Sequence, residues 1–345
     1  MEFKIGNTLI GNAHKPFIIA EMSGNHNQSI DRALRIVDAA AACGADAIKL
    51  QTYTADTITM KGAYTINDPN SLWNGKELHD LYKEAYTPWE WHKEIFEHAK
   101  RKGILAFSSP FDETAVDFLE SLDCPAYKIA SFENTHLPLI KKVAQTGKPV
   151  IVSTGVSSIA EIDEAVQTLK LNSCTNFALL KCTSTYPASP ENTNLLTIPH
   201  LRSLHKCIVG LSDHTMGIGA SVAAVALGAS IIEKHFTLNR ADGGVDSAFS
   251  LEPDELKALV LETERAHLAL GEVKYGVQTS EEKSRFFKRS IYASEDITPG
   301  EIFSEKNLKI IRPGDGLAPK YWDLIIGHKC SKAIKKGTPI TFELI

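Results

Sequence analysis

The chain alternates short apolar segments with amphipathic ones eight times before its last 75 or so residues, and this regular alternation limits the folds it can adopt. The first apolar segment, residues 16–24, is followed by a helical pattern that stops at Gly44. Strands that alternate with helices favour a parallel sheet. Eight such units over about 270 residues match the size of a (β/α)8 barrel. The sequence therefore predicts an α/β fold of the TIM-barrel type.

A doubly wound open sheet is the alternative arrangement for the same alternation. Such a sheet that binds a dinucleotide carries a GxGxxG motif after its first strand, and this chain has none there. Polar residues also follow every predicted strand, whereas an open sheet gathers them at one switch point. Both observations favour the barrel.

The last part of the chain has a different texture. Periodicity is lost over residues 271–285, and two similar stretches follow, SIYASEDITPGEIFSEKNL and HKCSKAIKKGTPITFELI, with turn glycines at Gly300 and Gly337. We predict a barrel domain over residues 1–272, a linker over 273–286 and a small β-rich module over 287–345. A module of under about 60 residues is marginal on its own, so we expect it to dock on another surface.

Composition excludes several classes of function. The net charge of −5 provides no basic face for nucleic acid. The N-terminus lacks the basic and apolar regions of a signal peptide, and no apolar run is long enough to cross a bilayer, so we expect no membrane partner. The six cysteines are scattered without CxxC pairs, which is typical of reduced thiols in a cytoplasmic protein.

Two lysines stand out among the polar residues at the strand ends, where a barrel of this type carries its site. Lys49 and Lys128 lie inside otherwise apolar strands, and a buried lysine is costly unless it is paired. Together with serines and glycines at other strand ends, they suit a small, doubly anionic ligand. The alternative is that each lysine faces outward against a helix.

Two histidines end consecutive strands. His214 and His235 should lie close together if their strands are neighbours, and two imidazoles with open positions suit a first-row divalent metal. Glu21 is a candidate carboxylate near them, although core hydrogen bonds would also explain the histidines. Three other histidines lie on helical segments and are expected to face solvent: His79, His92 and His98.

Several of these stretches carry a family resemblance. IIAEMSGNHNQS, IKLQTYTADTITM, FSSPFDETAVDFL, PAYKIASFE, VIVSTG, LLKCTSTYP, GLSDHT and EKHFTL resemble the sialic acid synthase family, and most of all its pseudaminic acid synthase branch. The C-terminal module, including IIRPGDGL, resembles the antifreeze-like (SAF) domain of these enzymes. The resemblance covers nearly the whole chain.

The resemblance implies particular roles for particular residues. His214 and His235 would bind Mn2+ or Mg2+, with Glu21 as the catalytic glutamate and Tyr186 and Asp246 on the sugar side. The positions implied to bind phosphoenolpyruvate are Lys49, Ser109, Lys128, Ser131, Ser153, Ser184 and Ser212. Ser109 and Ser184 stand where a threonine and an asparagine are usual, and both keep a hydrogen-bonding group. The protein would be a homodimer with swapped C-terminal domains, in which Arg312 reaches the partner's active site.

The activity so implied is condensation of phosphoenolpyruvate with an N-acetylated amino sugar. For the pseudaminic branch the sugar is 2,4-diacetamido-2,4,6-trideoxy-L-altrose, and a wall from Trp73, Tyr82 or Phe249 would favour its methyl group. The product would serve bacterial surface glycans such as those of flagellin. Three alternatives stay open: an N-acetylneuraminate or legionaminate synthase, a pyruvate aldolase with a Schiff base on Lys128, and a barrel that only binds a sugar acid.

Overall fold

The computed structural model describes residues 1–69 and 71–345, and it divides into two compact units, Met1–Gly271 and Glu272–Ile345. The first unit begins with an antiparallel hairpin that the sequence patterns did not predict, formed by β1 (Glu2–Ile5) and β2 (Thr8–Gly11). These strands have only four residues each, which is too short for a clear alternating pattern to be recognised in the sequence.

The predicted barrel is confirmed. Eight parallel strands form a closed barrel in chain order, and the last strand pairs with the first. They are β3 (Phe17–Glu21), β4 (Ala47–Thr52), β5 (Leu105–Pro110), β6 (Tyr127–Ile129), β7 (Val150–Ser153), β8 (Phe177–Cys182), β9 (Ile208–Asp213) and β10 (Ile231–His235). Closure removes both sheet edges and brings the carboxyl ends of all eight strands to one rim.

Helices surround this barrel. They are α1 (Ile30–Cys43), α2 (Ala55–Ile58), α3 (Leu78–Ala85), α4 (Trp89–Arg101), α5 (Glu113–Ser121), α6 (Leu137–Gln145), α7 (Ile159–Leu171), α8 (Thr197–His205), α9 (Gly219–Ala226) and α10 (Pro253–Leu270). The predicted stop of α1 at Gly44 is confirmed, since this residue has a φ of 87° and its N–H caps the helix. None of the described helices is long and apolar enough to cross a bilayer.

Strand burial explains why the barrel segments read as continuous apolar runs. Every residue of β3, β6, β7, β9 and β10 is buried. A parallel strand covered by helices on one face and by barrel packing on the other has no solvent-facing positions. Charged residues within such strands therefore need partners inside the protein.

The second unit has a small core of its own. Two strands, β11 (Ser290–Ala293) and β12 (Leu308–Ile311), pair antiparallel, and isolated bridges such as that between Ile297 and Ile334 extend the β structure. A short helix, α11 (Trp322–Ile325), completes the unit. The apolar core cluster of the second unit consists of Ile291, Ala293, Ile297, Phe303, Leu308, Ile325, Cys330, Ile334 and Ile340. We retain residues 273–286 as the proposed linker.

Candidate active site

A buried group of four charges occupies the barrel at the ends of β3, β4, β6 and β10. Lys49 Nζ lies 2.8 Å from Glu21 Oε2 and 3.8 Å from Glu233 Oε1, and Lys128 Nζ lies 3.5 Å from the same Glu233 oxygen. All four side chains are almost inaccessible to solvent. Both lysines therefore face into the barrel and not toward the helices.

The protonation preferences of this group follow from burial and mutual attraction. Burial opposes the charge on Lys49, but Glu21 and Glu233 outweigh it and raise the pKa of this lysine. Burial lowers the pKa of Lys128 despite the attraction of Glu233. Burial also opposes the charge on Glu233, but the two lysines outweigh it and lower the pKa of this carboxyl. Glu233 is thus a shared counter-ion for both lysines.

Serine hydroxyls surround the two ammonium groups. Lys49 Nζ donates to Ser109 Oγ at 3.2 Å, and Lys128 Nζ donates to Ser153 Oγ at 2.7 Å. Ser212 Oγ donates to Glu233 Oε1 at 3.1 Å. Ammonium groups that are already held by neutral hydroxyls can transfer these bonds to an anion.

The remaining two serines meet at Gly155, just after β7. Its backbone N–H donates to Ser131 Oγ at 3.1 Å. A Cβ at this position would lie only 2.2 Å from Ser184 Oγ and 2.7 Å from Ser131 Oγ. Glycine is therefore required here, because any side chain would push apart two hydroxyls that the sequence predicts at the anion site.

The two predicted metal ligands lie side by side. The ring centroids of His214 and His235 are 5.4 Å apart. His214 Nδ1 lies 2.9 Å from the carbonyl oxygen of Thr183, which can only accept, so Nδ1 carries the proton and the lone pair is on Nε2. Burial holds the pKa of His235 well below its usual range, and its Nδ1 has no hydrogen-bond partner among the described residues.

These features fit a divalent metal as a donor set. Neutral imidazole is the form of histidine that binds metals, and an orphaned buried ring nitrogen lacks the partner that most buried polar atoms have. Within residues 1–69 and 71–345, no three His, Cys, Asp or Glu side chains are grouped as a ready metal cluster. A metal on His214 and His235 would therefore leave positions for water or a substrate.

The carboxylate of Glu21 is engaged by Lys49. Glu21 is the strand partner of His235 in the β3–β10 pairing, but its carboxylate binds Lys49 and accepts from Gln51 Nε2 at 2.9 Å. Asp246 is the carboxylate that approaches the histidine pair, with Oδ2 3.8 Å from His235 Nδ1. Ser23 Oγ donates to the same Asp246 oxygen.

Aromatic side chains form a wall next to the histidines. The ring centroid of Tyr186 lies 4.5 Å from that of His214 and 5.2 Å from that of Phe249. The ring centroids of Phe249 and His235 are 4.9 Å apart. Trp73 contacts Tyr186 at 6.1 Å between centroids, and its indole N–H donates to the carbonyl oxygen of Val245 at 3.1 Å. We call Trp73, Tyr186 and Phe249 the aromatic wall.

Tyr82 and Arg312 were also named in the sequence analysis. Tyr82 packs edge-on against Tyr53, with ring centroids 5.6 Å apart. Arg312 follows β12 in the second unit. Near it, Ser290 Oγ donates to the carbonyl oxygen of Pro313 and accepts from Gly316 N–H, so that this loop has a defined shape.

The prediction that His92 faces solvent is wrong. His92 is fully buried, with Nε2 2.8 Å from Thr52 Oγ1 and Nδ1 3.2 Å from the carbonyl oxygen of Pro88. Burial lowers its pKa to about 4, so it is neutral. Helical position alone did not show which face of α4 packs on the barrel.

Sequence reasoning gave too little weight to Glu133 and Cys182. Burial raises the pKa of Glu133 to about 7, and its Oε2 has no hydrogen-bond partner among the described residues. Contact with His214, against the effect of burial, lowers the pKa of the Cys182 thiol to about 6. Both residues stand at strand ends, and that position was the available signal.

The chain is similar to known protein families and to individual relatives. The model of the NeuB family matches residues 36–275, and that of the SAF domain matches residues 288–345. The chain is 47% identical over 326 residues to a pseudaminic acid synthase of Campylobacter jejuni, covering 94% of each chain. It is 43% identical to the pseudaminic acid synthase of Helicobacter pylori, covering 95% of this chain and 97% of the relative.

The fold of the chain is also similar to that of a solved structure. The N-acetylneuraminic acid (sialic acid) synthetase from Leptospira borgpetersenii serovar Hardjo-bovis, in complex with citrate, superposes with a TM-score of 0.75 at 37% identity. The match covers 82% of this chain and 95% of that one. The fold is therefore shared with a synthetase of known structure.

The raised pKa of Glu133 predicts a pH-dependent cost to stability. The side chain of Glu133 loses its proton near pH 4.5 in the unfolded chain but only near pH 7 in the folded protein, because burial opposes the charge. The free energy of unfolding therefore falls as the pH rises from about 4.5 to about 7. We expect Glu133→Gln to be more stable than the parent at pH 8, by on the order of 3 kcal/mol, and equal to it below pH 4.5. Denaturant unfolding at several pH values measures this.

The matched control is Glu164→Gln, since Glu164 is an exposed glutamate on α7. It should leave the pH profile of stability unchanged. Equal free energies of unfolding for the parent and Glu133→Gln at pH 8 would contradict the burial argument.

Proposed function

Because the chain belongs to the NeuB family, we propose that it condenses phosphoenolpyruvate with 2,4-diacetamido-2,4,6-trideoxy-L-altrose and water, giving pseudaminic acid and phosphate. The observation that carries this proposal is the juxtaposition, at the ends of the barrel strands, of two buried lysines with two neighbouring imidazoles. The identity of 47% to a pseudaminic acid synthase supports the choice of sugar.

We propose that phosphoenolpyruvate binds at the lysines. Its phosphate and carboxylate would bind the ammonium groups of Lys49 and Lys128, which are now held by serine hydroxyls and by the carboxylates of Glu21 and Glu233. Charged hydrogen bonds to a doubly anionic ligand are stronger than those to neutral hydroxyls, so the exchange is favourable. The hydroxyl-bearing residues that would complete this site are Ser109, Ser131, Ser153, Ser184 and Ser212.

We propose that His214 and His235 hold Mn2+ or Mg2+ beside this anion site. A divalent cation there would supply Lewis acidity toward the aldehyde oxygen of the open-chain sugar. Burial keeps His235 neutral. Nearby Cys182 and Thr183 raise the pKa of His214 against burial, so a metal would bind its neutral form, in which Nδ1 donates to the Thr183 carbonyl and Nε2 carries the lone pair. The sugar would lie between the histidines, the aromatic wall and Asp246.

The bond changes assign a proton-handling role to Glu21. C3 of phosphoenolpyruvate attacks the aldehyde carbon, positive charge develops at C2, and water adds there with loss of a proton. The tetrahedral intermediate then releases phosphate by cleavage of the C–O bond. Burial raises the pKa of Glu21, so this group accepts a proton more readily than an exposed glutamate. We propose that it handles the proton at one of two places, as the base that takes a proton from the water or as the acid that gives one to the aldehyde oxygen.

One observation favours a second chemistry. The lowered pKa of Lys128 is also what a Schiff-base aldolase needs, because the neutral amine is the nucleophile. Against it, Lys128 Nζ is engaged by Ser153 and Glu233 on the inner face of the barrel. A synthase needs no covalent bond to this lysine, so borohydride trapping with pyruvate separates the two chemistries.

The aromatic wall accounts for the choice among related sugars. The altrose derivative carries a methyl group at C6, where N-acetylmannosamine carries a hydroxymethyl group. Phe249 is almost fully buried beside His235 and offers no hydrogen-bonding group, so a hydroxyl placed against it would lose its bonds to water. We propose that Phe249 and Trp73 contact the methyl group.

We propose that the protein is a homodimer with exchanged C-terminal domains. All residues from Gly271 to Arg289 are exposed, among them Val273, Tyr275, Phe286 and Phe287. These exposed apolar side chains in a largely polar segment favour contact with a partner surface. Residues 1–271 carry 24 Lys and Arg against 32 Asp and Glu, whereas residues 272–345 carry 13 against 10, so opposite net charges favour association. Arg312 of the partner subunit would then reach the anion site.

We infer a cytoplasmic location and a role in making bacterial surface glycans such as those of flagellin. All six cysteines are free, as expected for a reducing compartment. Phosphoenolpyruvate is a metabolite of that compartment. A nine-carbon sugar acid made there needs activation and transfer before it reaches the surface.

The proposed activity predicts metal-dependent phosphate release. With Mn2+ and phosphoenolpyruvate, we expect release with the trideoxy-altrose derivative, at least tenfold slower release with N-acetylmannosamine, and none after EDTA. A coupled phosphate assay measures all three rates. Faster release with N-acetylmannosamine would move the protein to the sialic acid branch, and no release with either sugar would overturn the condensation.

The aromatic wall predicts a change in selectivity for Phe249→Tyr. The added hydroxyl should lower kcat/KM for the 6-deoxy sugar roughly tenfold and narrow its preference over N-acetylmannosamine. Steady-state kinetics with both sugars, with Mn2+ affinity as a check on the neighbouring histidine, tests this. Phe96→Tyr on α4 is the control. If Phe249→Tyr leaves the ratio of the kcat/KM values for the two sugars unchanged, the proposed contact between the aromatic wall and the methyl group is refuted.

The exchanged dimer predicts complementation between two inactive variants. Arg312→Ala and His235→Ala subunits are mixed, unfolded and refolded together, so that half of the dimers are mixed. In an exchanged dimer, one site of each mixed dimer combines an intact barrel with an intact arginine, which restores about a quarter of the parental sites. Recovery of no activity in the mixture, while refolded parent recovers, would show that Arg312 acts within its own chain.

A further inference from the structure

The two strands that carry the histidines use their opposite faces for different contacts. On β9 and β10, Ser212 and Glu233 hydrogen-bond to each other on the inner face. Asp213 and Lys234 come next along the two strands and are direct partners in the β9–β10 register. Successive side chains of a strand point to opposite faces, so this pair lies on the outer face of the barrel wall.

The pair is a completely buried ion pair. Lys234 Nζ lies 3.1 Å from Asp213 Oδ2, and the two side chains are 1% and 0% exposed. Ser221 on α9 donates its hydroxyl to the same oxygen at 2.6 Å. The outer face of the wall is therefore tied both across the two strands and to the helix that covers them.

The same contacts hold the backbone on both sides of His214. Asp213 Oδ1 accepts from the N–H of Thr215 at 2.9 Å and from its hydroxyl at 2.8 Å. Lys234 Nζ donates to the carbonyl oxygen of Thr215. His214 is the single residue between these two anchored neighbours, and His235 directly follows Lys234.

We propose that the Asp213–Lys234 ion pair is a positioning device that fixes the spacing of the two imidazoles for the metal. This rests on the proposed function, in which His214 and His235 are the ligands. The pair touches neither ring. It acts through the backbone, because rotation of residues 213–215 or a slip of β10 against β9 would move one imidazole relative to the other.

Energetics support a role in position more than in stability. A buried ion pair is often no more stabilising than apolar side chains of similar volume, because desolvation offsets the attraction. Its hydrogen bonds, however, fix directions that apolar packing leaves free. With two protein ligands in the proposed donor set, metal affinity depends strongly on their separation, and outer partners of metal ligands typically contribute 10- to 100-fold in affinity.

The decisive variant replaces both charges at once. Asp213→Leu combined with Lys234→Met removes the pair without leaving an unpaired buried charge. We expect the metal-free double variant to melt within a few degrees of the parent, while its affinity for Mn2+, measured by calorimetry on metal-free protein, falls 10- to 100-fold. A merely structural pair would lower the melting temperature and leave the Mn2+ affinity of the folded fraction unchanged.

Two further variants keep the test decisive. Ser221→Ala removes one hydrogen bond to Asp213 and should weaken Mn2+ binding a few-fold; if the double variant does not fold, an unchanged affinity in Ser221→Ala overturns the proposal. Lys148→Met is the matched control, because it removes the ion pairs with Glu120 and Asp123 before β7, at the other end of the barrel. Its Mn2+ affinity should equal that of the parent.

The variant His235→Ala separates this inference from the function on which it rests. If His235→Ala binds Mn2+ as tightly as the parent, the metal site itself is refuted. If His235→Ala loses binding but the double variant binds like the parent, the site stands and the positioning role is refuted.

Discussion

The attraction between Glu233 and the two lysines inside the barrel is the interaction on which the rest of the site depends. Two ammonium groups cannot be buried a few ångströms apart without an anion between them. Glu233 supplies that anion, with Oε1 3.8 Å from Lys49 Nζ and 3.5 Å from Lys128 Nζ. Glu21 adds a second carboxylate beside Lys49. The barrel can therefore fold with its positive charges already in place.

Closure of the barrel brings these charges to the histidines. β10 pairs with β3 on one side and β9 on the other, so His235 lies beside Glu21 while Glu233 meets Ser212. The inner face of two neighbouring strands thus supplies a counter-ion for the anion site and one imidazole. The outer face of the same strands holds Asp213 and Lys234. Because side chains alternate along a strand, this ion pair is next in sequence to the two histidines but lies on the opposite face of the sheet.

Much of the fold was predictable because it depends on a strand–helix alternation that is repeated along most of the chain. Eight alternations, the stop at Gly44 and the polar strand ends all follow from local sequence, and the structure confirms the barrel. The hairpin of β1 and β2 was missed because four-residue strands carry too little pattern. The burial of His92 was missed because a helix with mixed polarity does not show which side packs on Thr52.

The site was less predictable than the fold. Strand position brought Lys49, Lys128, His214 and His235 to one rim. It could not show that Glu233 is shared between the lysines, or that the carboxylate of Glu21 binds Lys49 while that of Asp246 lies near the His235 ring. Those facts depend on side-chain direction, which one sequence does not specify. The raised pKa of Glu133 likewise comes from burial by residues distant in sequence.

The counter-ions have a consequence for how an anion binds. Without Glu21 and Glu233, empty lysines would be solvated by mobile water or would lose their protons, and each ligand would have to reorganise them. Here carboxylates and serine hydroxyls hold the ammonium groups in fixed positions before the ligand arrives, so little reorganisation is left for the binding step. The cost is competition, since Glu233 remains beside the bound anion. In the proposed reaction, that competition would limit the affinity for phosphoenolpyruvate in the ground state. During C–O cleavage negative charge would move onto the departing phosphate, and the same fixed lysines would then interact with it more strongly.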